Sequence, residues 1–177
     1  MTSSTGRETR ILGSLRRLED GTGAVTVEDF YDTDVDDLWS ALTDPDRLAR
    51  WLATVEGDLR VGGHINARFT STFTGPGRID VCEAPRRLQV TFDPGTSDET
   101  VMEANLAPVG DRTRLIIEER GLPLEDIPGH GAGWQAHVED LAAYLSGGEP
   151  GAWRDRWEEL TPVYQTIAGD DGAQGGA

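Results

Sequence analysis

Hydrophobic and polar residues alternate along much of the chain, and this period of two predicts β-strands. The apolar run at residues 11–18 is followed by DGTG and then by alternation at Val25 and Val27, which predicts a strand, a turn and a second strand. Residues 55–121 continue the alternation, broken by short Gly- and Pro-containing connections. This part predicts an antiparallel meander of about six strands with one apolar face.

Two short helices are predicted between the second strand and the meander. Apolar residues at Val35, Leu38, Trp39 and Leu42 follow the helical period, with Asp34 as N-cap, and this helix ends near Thr43. The dipeptide Asp44-Pro45 is typical of a cap and first helical residue, so a second short helix begins there.

A long helix is predicted after the meander. Its apolar stripe predicts the face that packs on the sheet, and Gln135, Glu139, Asp140 and Ala143 are expected to face away from the sheet. The stripe consists of Trp134, His137, Val138, Leu141, Tyr144 and Leu145.

A last helix is predicted at about residues 151–167, with Pro162 expected to kink it. The order of elements predicts an α+β fold in which a curved antiparallel sheet of about six or seven strands surrounds the long helix. One domain is expected over residues 11–168, with disordered tails at 1–10 and 169–177.

The net charge of the chain limits the kinds of molecule that it is expected to bind. It carries 32 acidic and 16 basic residues, a net charge of -16. Nucleic-acid backbones and anionic membrane surfaces would repel such a chain, so we expect neither nucleic-acid binding nor membrane insertion. A neutral, cationic or apolar partner is expected instead. The single Cys82, and the lack of a signal-like or bilayer-length apolar run, predict a cytoplasmic location.

Five segments together resemble the START-like, Bet v 1-like helix-grip superfamily, also called SRPBCC, and within it the bacterial branch similar to the activator of the Hsp90 ATPase. The resemblance implies a deep cavity between the curved sheet and the long helix. Members bind lipids, polyketides or other apolar molecules, some catalyse cyclisation, and some protect producers from enediyne antibiotics. The segments are YDTDVDDLWSALTDPDRLARWL (31–52), GDLRVGGHINARF (57–69), VCEAPRRLQVTF (81–92), IIEERGLP (116–123) and GAGWQAHVEDLAAYLSG (131–147).

The stretch GHGAGWQAH has the residue types of a catalytic or metal-binding loop, but not the spacing. His130 and His137 are seven residues apart, about 10 Å along a helix, which is too far to share one zinc ion. We therefore expect no metal and no cofactor. The glycines at 129, 131 and 133 predict a hinge or lid before the long helix rather than a phosphate cradle.

His137 is a weak candidate for a general base, because it shares the apolar stripe and its ordinary pKa is near neutrality. A structural or ligand-orienting role is favoured. Glu118 and Glu119 are adjacent on a strand and point to opposite faces. An inward carboxylate would orient a ligand or pair with Arg68 or Arg120, but an exposed pair on a sheet edge is favoured. Cys82 is expected to face outward or lie near a strand end.

The aromatic residues on predicted inward faces are the main ligand-binding candidates. Trp153 and Trp157 are expected to pack on the flank of the domain, with a homodimer contact as the alternative. The complete candidate set is Trp39, Trp51, Phe69, Phe73, Phe92, Met102, Trp134, His137 and Leu141.

Three hypotheses for function follow. The favoured one is a non-enzymatic protein that holds an apolar or aromatic small molecule, such as a lipid-like, polyketide or enediyne-type natural product, for sequestration, transport or self-resistance. The second is a polyketide cyclase or aromatase in which His137 and an inward Glu or Arg move protons. The third is a protein-interaction module similar to the Hsp90 activator, binding through its acidic surface.

Overall fold

Eight antiparallel strands form one sheet in the computed structural model, which describes residues 10–174. Their order is β1-β2-β8-β7-β6-β5-β4-β3, so the prediction of six or seven strands is too low. The strands are β1 Gly13–Arg17, β2 Gly23–Tyr31, β3 Ala53–Gly57, β4 His64–Phe69, β5 Thr74–Glu83, β6 Arg87–Phe92, β7 Thr100–Val109 and β8 Arg112–Leu122.

Within residues 10–174, four α-helices and one 3-10 turn accompany the sheet. They are α1 Val35–Thr43, α2 Pro45–Leu48, the 3-10 turn Leu124–Asp126, α3 Ile127–Leu145 and α4 Trp153–Gln174. The predicted caps are confirmed: Asp34 accepts a hydrogen bond from the Asp37 backbone at 2.8 Å, and Asp44 accepts one from Asp46 at 2.9 Å.

The long helix α3 lies on the apolar face of the sheet, which confirms the helix-grip α+β fold. Val138 and Leu141 are fully buried, and the Tyr31 hydroxyl on β2 donates to the Val138 carbonyl at 3.1 Å. The pairing of β2 with β8 joins the N-terminal hairpin to the last strand of the meander, while β3, its first strand, lies at the far edge of the sheet. The sheet therefore forms a continuous floor beneath α3.

The face of α3 that is directed away from the sheet packs largely against α4. The sequence pattern does not show this cover: Gln135 is 0% exposed and Asp140 is 9% exposed. The side chain of Gln135 accepts from Tyr164 Oη on α4 at 2.6 Å and from the Leu12 backbone at 3.1 Å. Gln135 is thus a buried polar group with its hydrogen bonds satisfied.

The predicted glycine hinge is also wrong, because residues 129, 131 and 133 lie inside α3. These glycines allow the aromatic rings of α4 to approach the helix backbone. Trp157 Nε1 donates to the Gly129 carbonyl at 3.0 Å, and Trp153 Nε1 donates to the Gly133 carbonyl at 3.2 Å. The stretch is a packing surface for α4.

The helix α4 continues through Pro162 and ends at Gln174, beyond residue 168, where a tail was expected to begin. The predicted tail residues 1–9 and 175–177 lie outside the described residues. None of the helices in the described part is long and apolar enough to cross a membrane.

Candidate functional site

A cleft of about 920 Å³ opens between the sheet, the first half of α3 and the first half of α4. The turn between β4 and β5 forms one side, and the 3-10 turn after β8 forms the other. This volume lies in the range of sites that enclose a small organic molecule, roughly 300–1,000 Å³. The cleft is therefore the candidate site.

Four aromatic side chains cluster on one side of this cleft, and we call them the aromatic floor: Phe69, Phe73, Phe92 and Trp134. Their rings meet edge to face, with centroids 5.6 Å apart for Phe69 and Phe92, 6.2 Å for Phe73 and Phe92, and 6.4 Å for Phe69 and Trp134. Edge-to-face packing is a favoured arrangement of aromatic rings. The floor presents a continuous apolar surface to a guest.

Two tryptophans of α4 form an aromatic wall beside the floor. Trp153 and Trp157 stack with centroids 5.9 Å apart and planes 17° apart, and both line the cleft. Their indole nitrogens are bound to α3 carbonyls, so the rings cannot rotate freely. The flank packing expected for these residues is observed, and it places them at the site.

His137 of α3 lies between the floor and the wall. Its ring stacks on Trp153 at 5.3 Å and contacts Trp134 edge to face at 5.7 Å. Burial lowers the pKa of His137 to about 3, although the negative charge of Glu119 acts to raise it. The imidazole is therefore neutral at pH 7. Among the described residues, the one hydrogen-bond contact of the ring joins Nδ1 to Thr70 Oγ1 at 3.4 Å, which leaves Nε2 for a guest.

Glu119 on β8 is the buried carboxylate of the cleft. Its Oε2 accepts from Trp134 Nε1 at 2.6 Å and lies 3.1 Å from His130 Nδ1. Burial acts to raise the pKa of Glu119, but the hydrogen bonds from His130 and Trp134 outweigh it, and the pKa falls below its usual value. Glu119 is therefore ionised at neutral pH.

His130, in the first turns of α3, is the partly exposed member of this ion pair, with 42% of its side chain in contact with solvent. Burial acts to lower its pKa, but the hydrogen bond and charge of Glu119, with the charge of Asp126, raise it above the usual value. Because Nδ1 faces Glu119, the Nε2 edge of the ring is left for the cleft.

Four further carboxylates surround the mouth of the cleft, and we call them the acidic rim: Asp93, Asp98, Glu125 and Asp126. The first two belong to the connection from β6 to β7, and the other two to the 3-10 turn. Among the described residues, no arginine lines the cleft. The chain has no lysine, so among the described lining residues His130 alone offers a charge of opposite sign at neutral pH.

A second, smaller hollow of about 110 Å³ lies between the short helices and strands β3 to β6. Its walls are almost wholly aliphatic, and Cys82 reaches it from near the end of β5 while remaining exposed. Phe69 and Phe92 line both hollows. Its volume is too small for a drug-sized guest.

The structure brings five of the nine candidate residues into the large cleft: Phe69, Phe73, Phe92, Trp134 and His137. The other four, Trp39, Trp51, Met102 and Leu141, pack in or against the core instead. Trp51 is 0% exposed, and its Nε1 donates to the Ala41 carbonyl at 2.9 Å. A periodic pattern identifies an inward residue without showing which inward residues border a hollow.

The expectation of an exposed Glu118 and Glu119 pair at a sheet edge is wrong, because β8 lies between β2 and β7. Glu118 points to the outer face, where it pairs with Arg16 at 3.0 Å and Arg120 at 3.1 Å. Glu119 points inward and pairs with His130 rather than with Arg68 or Arg120.

Sequence reasoning did not assign a function to His130, Trp153 or Trp157. One signal was present: His130 and Trp134 are four residues apart and so lie on one helix face, where both reach the same carboxylate. No local pattern places Glu119 opposite them. Within residues 10–174, no three His, Cys, Asp or Glu side chains gather where they could hold a metal ion.

The family of the chain follows from its match to a known domain. Residues 32–146, more than half of the chain, match the family model described as activator of Hsp90 ATPase homolog 1-like protein. The chain belongs to this family. The match spans α1 through the end of α3, so it contains the aromatic floor, while the aromatic wall lies C-terminal to it. No curated protein matches this AHSA1-like chain.

Solved structures similar to this AHSA1-like chain share its fold over most of its length. The crystal structure of CalU16 from Micromonospora echinospora is 27% identical, with a TM-score of 0.72 over 88% of this chain and 95% of that one. DynU16, described as a protein in the dynemicin biosynthetic locus, is 26% identical with a TM-score of 0.64, over 71% of this chain and 48% of that one. A Bordetella parapertussis protein, 22% identical with a TM-score of 0.67 over 80% of this chain and 84% of that one, shares the fold.

Proposed function

We propose that this protein is a cytoplasmic binder of a hydrophobic or aromatic small molecule. The guest is a lipid-like, polyketide or enediyne-type natural product, held in the large cleft for sequestration, transport or self-resistance. The observation that carries the proposal is a cleft of about 920 Å³ with aromatic side chains on two sides. The likeness to DynU16, from a natural-product biosynthetic locus, supports the same class of guest.

The polarity of the cleft fits binding better than bond making. The polar group deepest among the aromatic rings is His137, whose pKa of about 3 leaves it unprotonated across the physiological range. A neutral imidazole orients a guest through one hydrogen bond, and an imidazole whose pKa is about 3 is a poor general base near pH 7. His137 is therefore assigned to positioning within this proposal.

The test is a fluorescence titration with the neutral probe N-phenyl-1-naphthylamine. Saturable binding that quenches the tryptophans is expected, since three tryptophans line the cleft. Phe73→Ser removes part of the floor at a residue that is 44% exposed, and Val109→Ser alters a residue of similar exposure, 46%, outside the cleft. Loss of about 1 kcal/mol of aromatic contact weakens binding roughly fivefold in the first variant alone. Equal affinities in both variants, or no saturable binding, would refute the proposal.

A second candidate is a cyclase or aromatase-like activity, favoured by the Glu119 and His130 pair at the cleft. His130 Nε2 would take an α-proton from a bound ketone, and the electron pair of the broken C–H bond would pass to the carbonyl oxygen. The test follows deuterium exchange at the methyl group of 2-acetylnaphthalene by NMR. Acceleration lost in His130→Gln, with binding retained, supports the enzyme; the absence of acceleration in the unmodified protein counts against it.

A further inference from the structure

Beyond its size and apolar surface, the cleft carries a net negative charge. The acidic rim and the ionised Glu119 contribute carboxylates, and His130 is the single partner of opposite charge among the described lining residues. None of the four rim carboxylates forms an ion pair within the described part of the chain. Charge of one sign beside a low-dielectric wall raises the local concentration of oppositely charged ligands.

The aromatic surfaces of the cleft favour the same charge. Trp134, Trp153 and Trp157 present indole rings, and an indole face attracts a cation more strongly than other aromatic side chains do. An anionic guest would be repelled both by the electron-rich faces of these rings and by the carboxylates. The floor and the wall therefore favour a positively charged guest, as the rim does.

A third, independent feature is the free Nε2 of His137. The ring is 4% exposed and neutral, and Nε2 has no partner among the described residues. When Nδ1 carries the proton and donates to Thr70, Nε2 is an acceptor for an N–H group of a guest. An acceptor that is open to the cleft and lies between Trp134 and Trp153 is suited to a polarised N–H group on an aromatic ring.

We propose that the cleft selects a cationic aromatic guest, an extended ring system carrying a protonated amine, with the rings against the floor and wall and the positive charge toward the acidic rim. This inference rests on the proposed function and adds the charge class of the ligand. It predicts discrimination between guests of equal shape.

The test uses three acridines with the same ring system: 9-aminoacridine as the cation, acridine as the neutral form and acridine-9-carboxylate as the anion. Affinities are measured at pH 7.5 in 20 mM and 200 mM NaCl. The cation is expected to bind best and the anion worst, and the preference is expected to shrink at the higher salt concentration because exposed charges are screened.

Two matched double variants separate the rim from the overall charge. Glu125→Gln with Asp126→Asn removes two rim charges, and Glu56→Gln with Asp111→Asn removes two exposed charges outside the cleft. The rim variant is expected to weaken 9-aminoacridine binding by about tenfold, since each exposed ion pair contributes roughly two- to fivefold. The control variant should retain the affinity of the unmodified protein for all three compounds.

The outcomes distinguish this inference from the proposed function. Equal or tighter binding of the anion, or an equal loss of affinity for all three acridines in the rim variant, overturns the charge selection while leaving a binding cleft. Failure of every acridine together with N-phenyl-1-naphthylamine overturns the proposed function itself. A thermal unfolding scan of each variant shows that the exposed substitutions leave the fold intact.

Discussion

The Trp134 indole nitrogen donates a hydrogen bond to Glu119 Oε2 over 2.6 Å, and this contact joins the long helix to β8, an interior strand of the sheet. The same oxygen lies 3.1 Å from His130 Nδ1. One buried carboxylate thus orients an aromatic ring of the floor and a titratable group of the cleft. Substitution of Glu119 should affect both.

The Glu119→Gln variant should lower the pKa of His130. Glu119 supplies the hydrogen bond and most of the charge that raise this pKa, and the remaining carboxylate acting on the ring is Asp126. NMR titration of the ring resonances measures the midpoint, with His64→Gln used to assign the third histidine. An unchanged His130 midpoint in Glu119→Gln would contradict the pairing.

The pair should also stabilise the fold within a defined pH window. Glu119 has a lowered pKa when folded, so its contribution is present above the usual value of 4.5 and is lost as pH falls through the folded value. His130 has a raised pKa, so its contribution is present below 6.5 and is lost as pH rises through the folded value. Urea unfolding should show Glu119→Gln less stable by about 1 kcal/mol near pH 5.5, a figure reduced by the exposure of His130. A deficit independent of pH would contradict this linkage.

His137 should not titrate between pH 5 and pH 8. Burial lowers its pKa to about 3, so the ring stays neutral across this range. Its NMR shifts should remain flat, while those of His130 move within the same titration. A His137 midpoint near 6.5 would mean that water reaches the ring and that the aromatic wall does not close over it.

Gly131→Ala should destabilise the protein, whereas Gly129→Ala should not. A Cβ at Gly131 would lie 2.6 Å from Tyr164 Cδ1, inside a fully buried contact, whereas one at Gly129 would lie 3.9 Å from its nearest neighbour, Trp157. Overpacking costs about 1–3 kcal/mol, and alanine gains up to about 1 kcal/mol in helix propensity. Urea unfolding should therefore show Gly131→Ala destabilised and Gly129→Ala neutral or stabilised. Equal stabilisation of both would contradict the close packing of α4 on α3.

Asp140→Asn should stabilise the protein at neutral pH but not at pH 4. Burial raises the pKa of Asp140 to about 6, against the Gly151 backbone hydrogen bond, so the folded state favours the protonated form. That preference stabilises the fold below the usual value of 3.8 and is lost as pH rises through about 6. Asp111→Asn, at an exposed turn, serves as the control. The same Asp140→Asn effect at both pH values would contradict the raised pKa.

Much of the helix-grip fold could be predicted because its cues are local. The alternation in the strands, the caps Asp34 and Asp44, and the stripe through Val138 and Leu141 each depend on residues within about two turns or one hairpin. The residues that cover the opposite face of α3 could not be predicted from such local patterns. Gln135 is buried by Tyr164, which is 29 residues away in the chain.

The candidate site shows the same division between local and long-range cues. The chain's own pattern identified Phe69, Phe92, Trp134 and His137 as inward residues, because side-chain direction follows the period of the strand or helix. Some inward residues border a hollow, whereas others, such as Trp51, fill the core. The curvature of the sheet and the docking of α4 decide between these two positions. The negative charge of the cleft has the same origin. The fold brings β8, the 3-10 turn and the connection from β6 to β7 around one space. These segments are far apart in the sequence, so their contacts leave no periodic pattern from which they could be predicted.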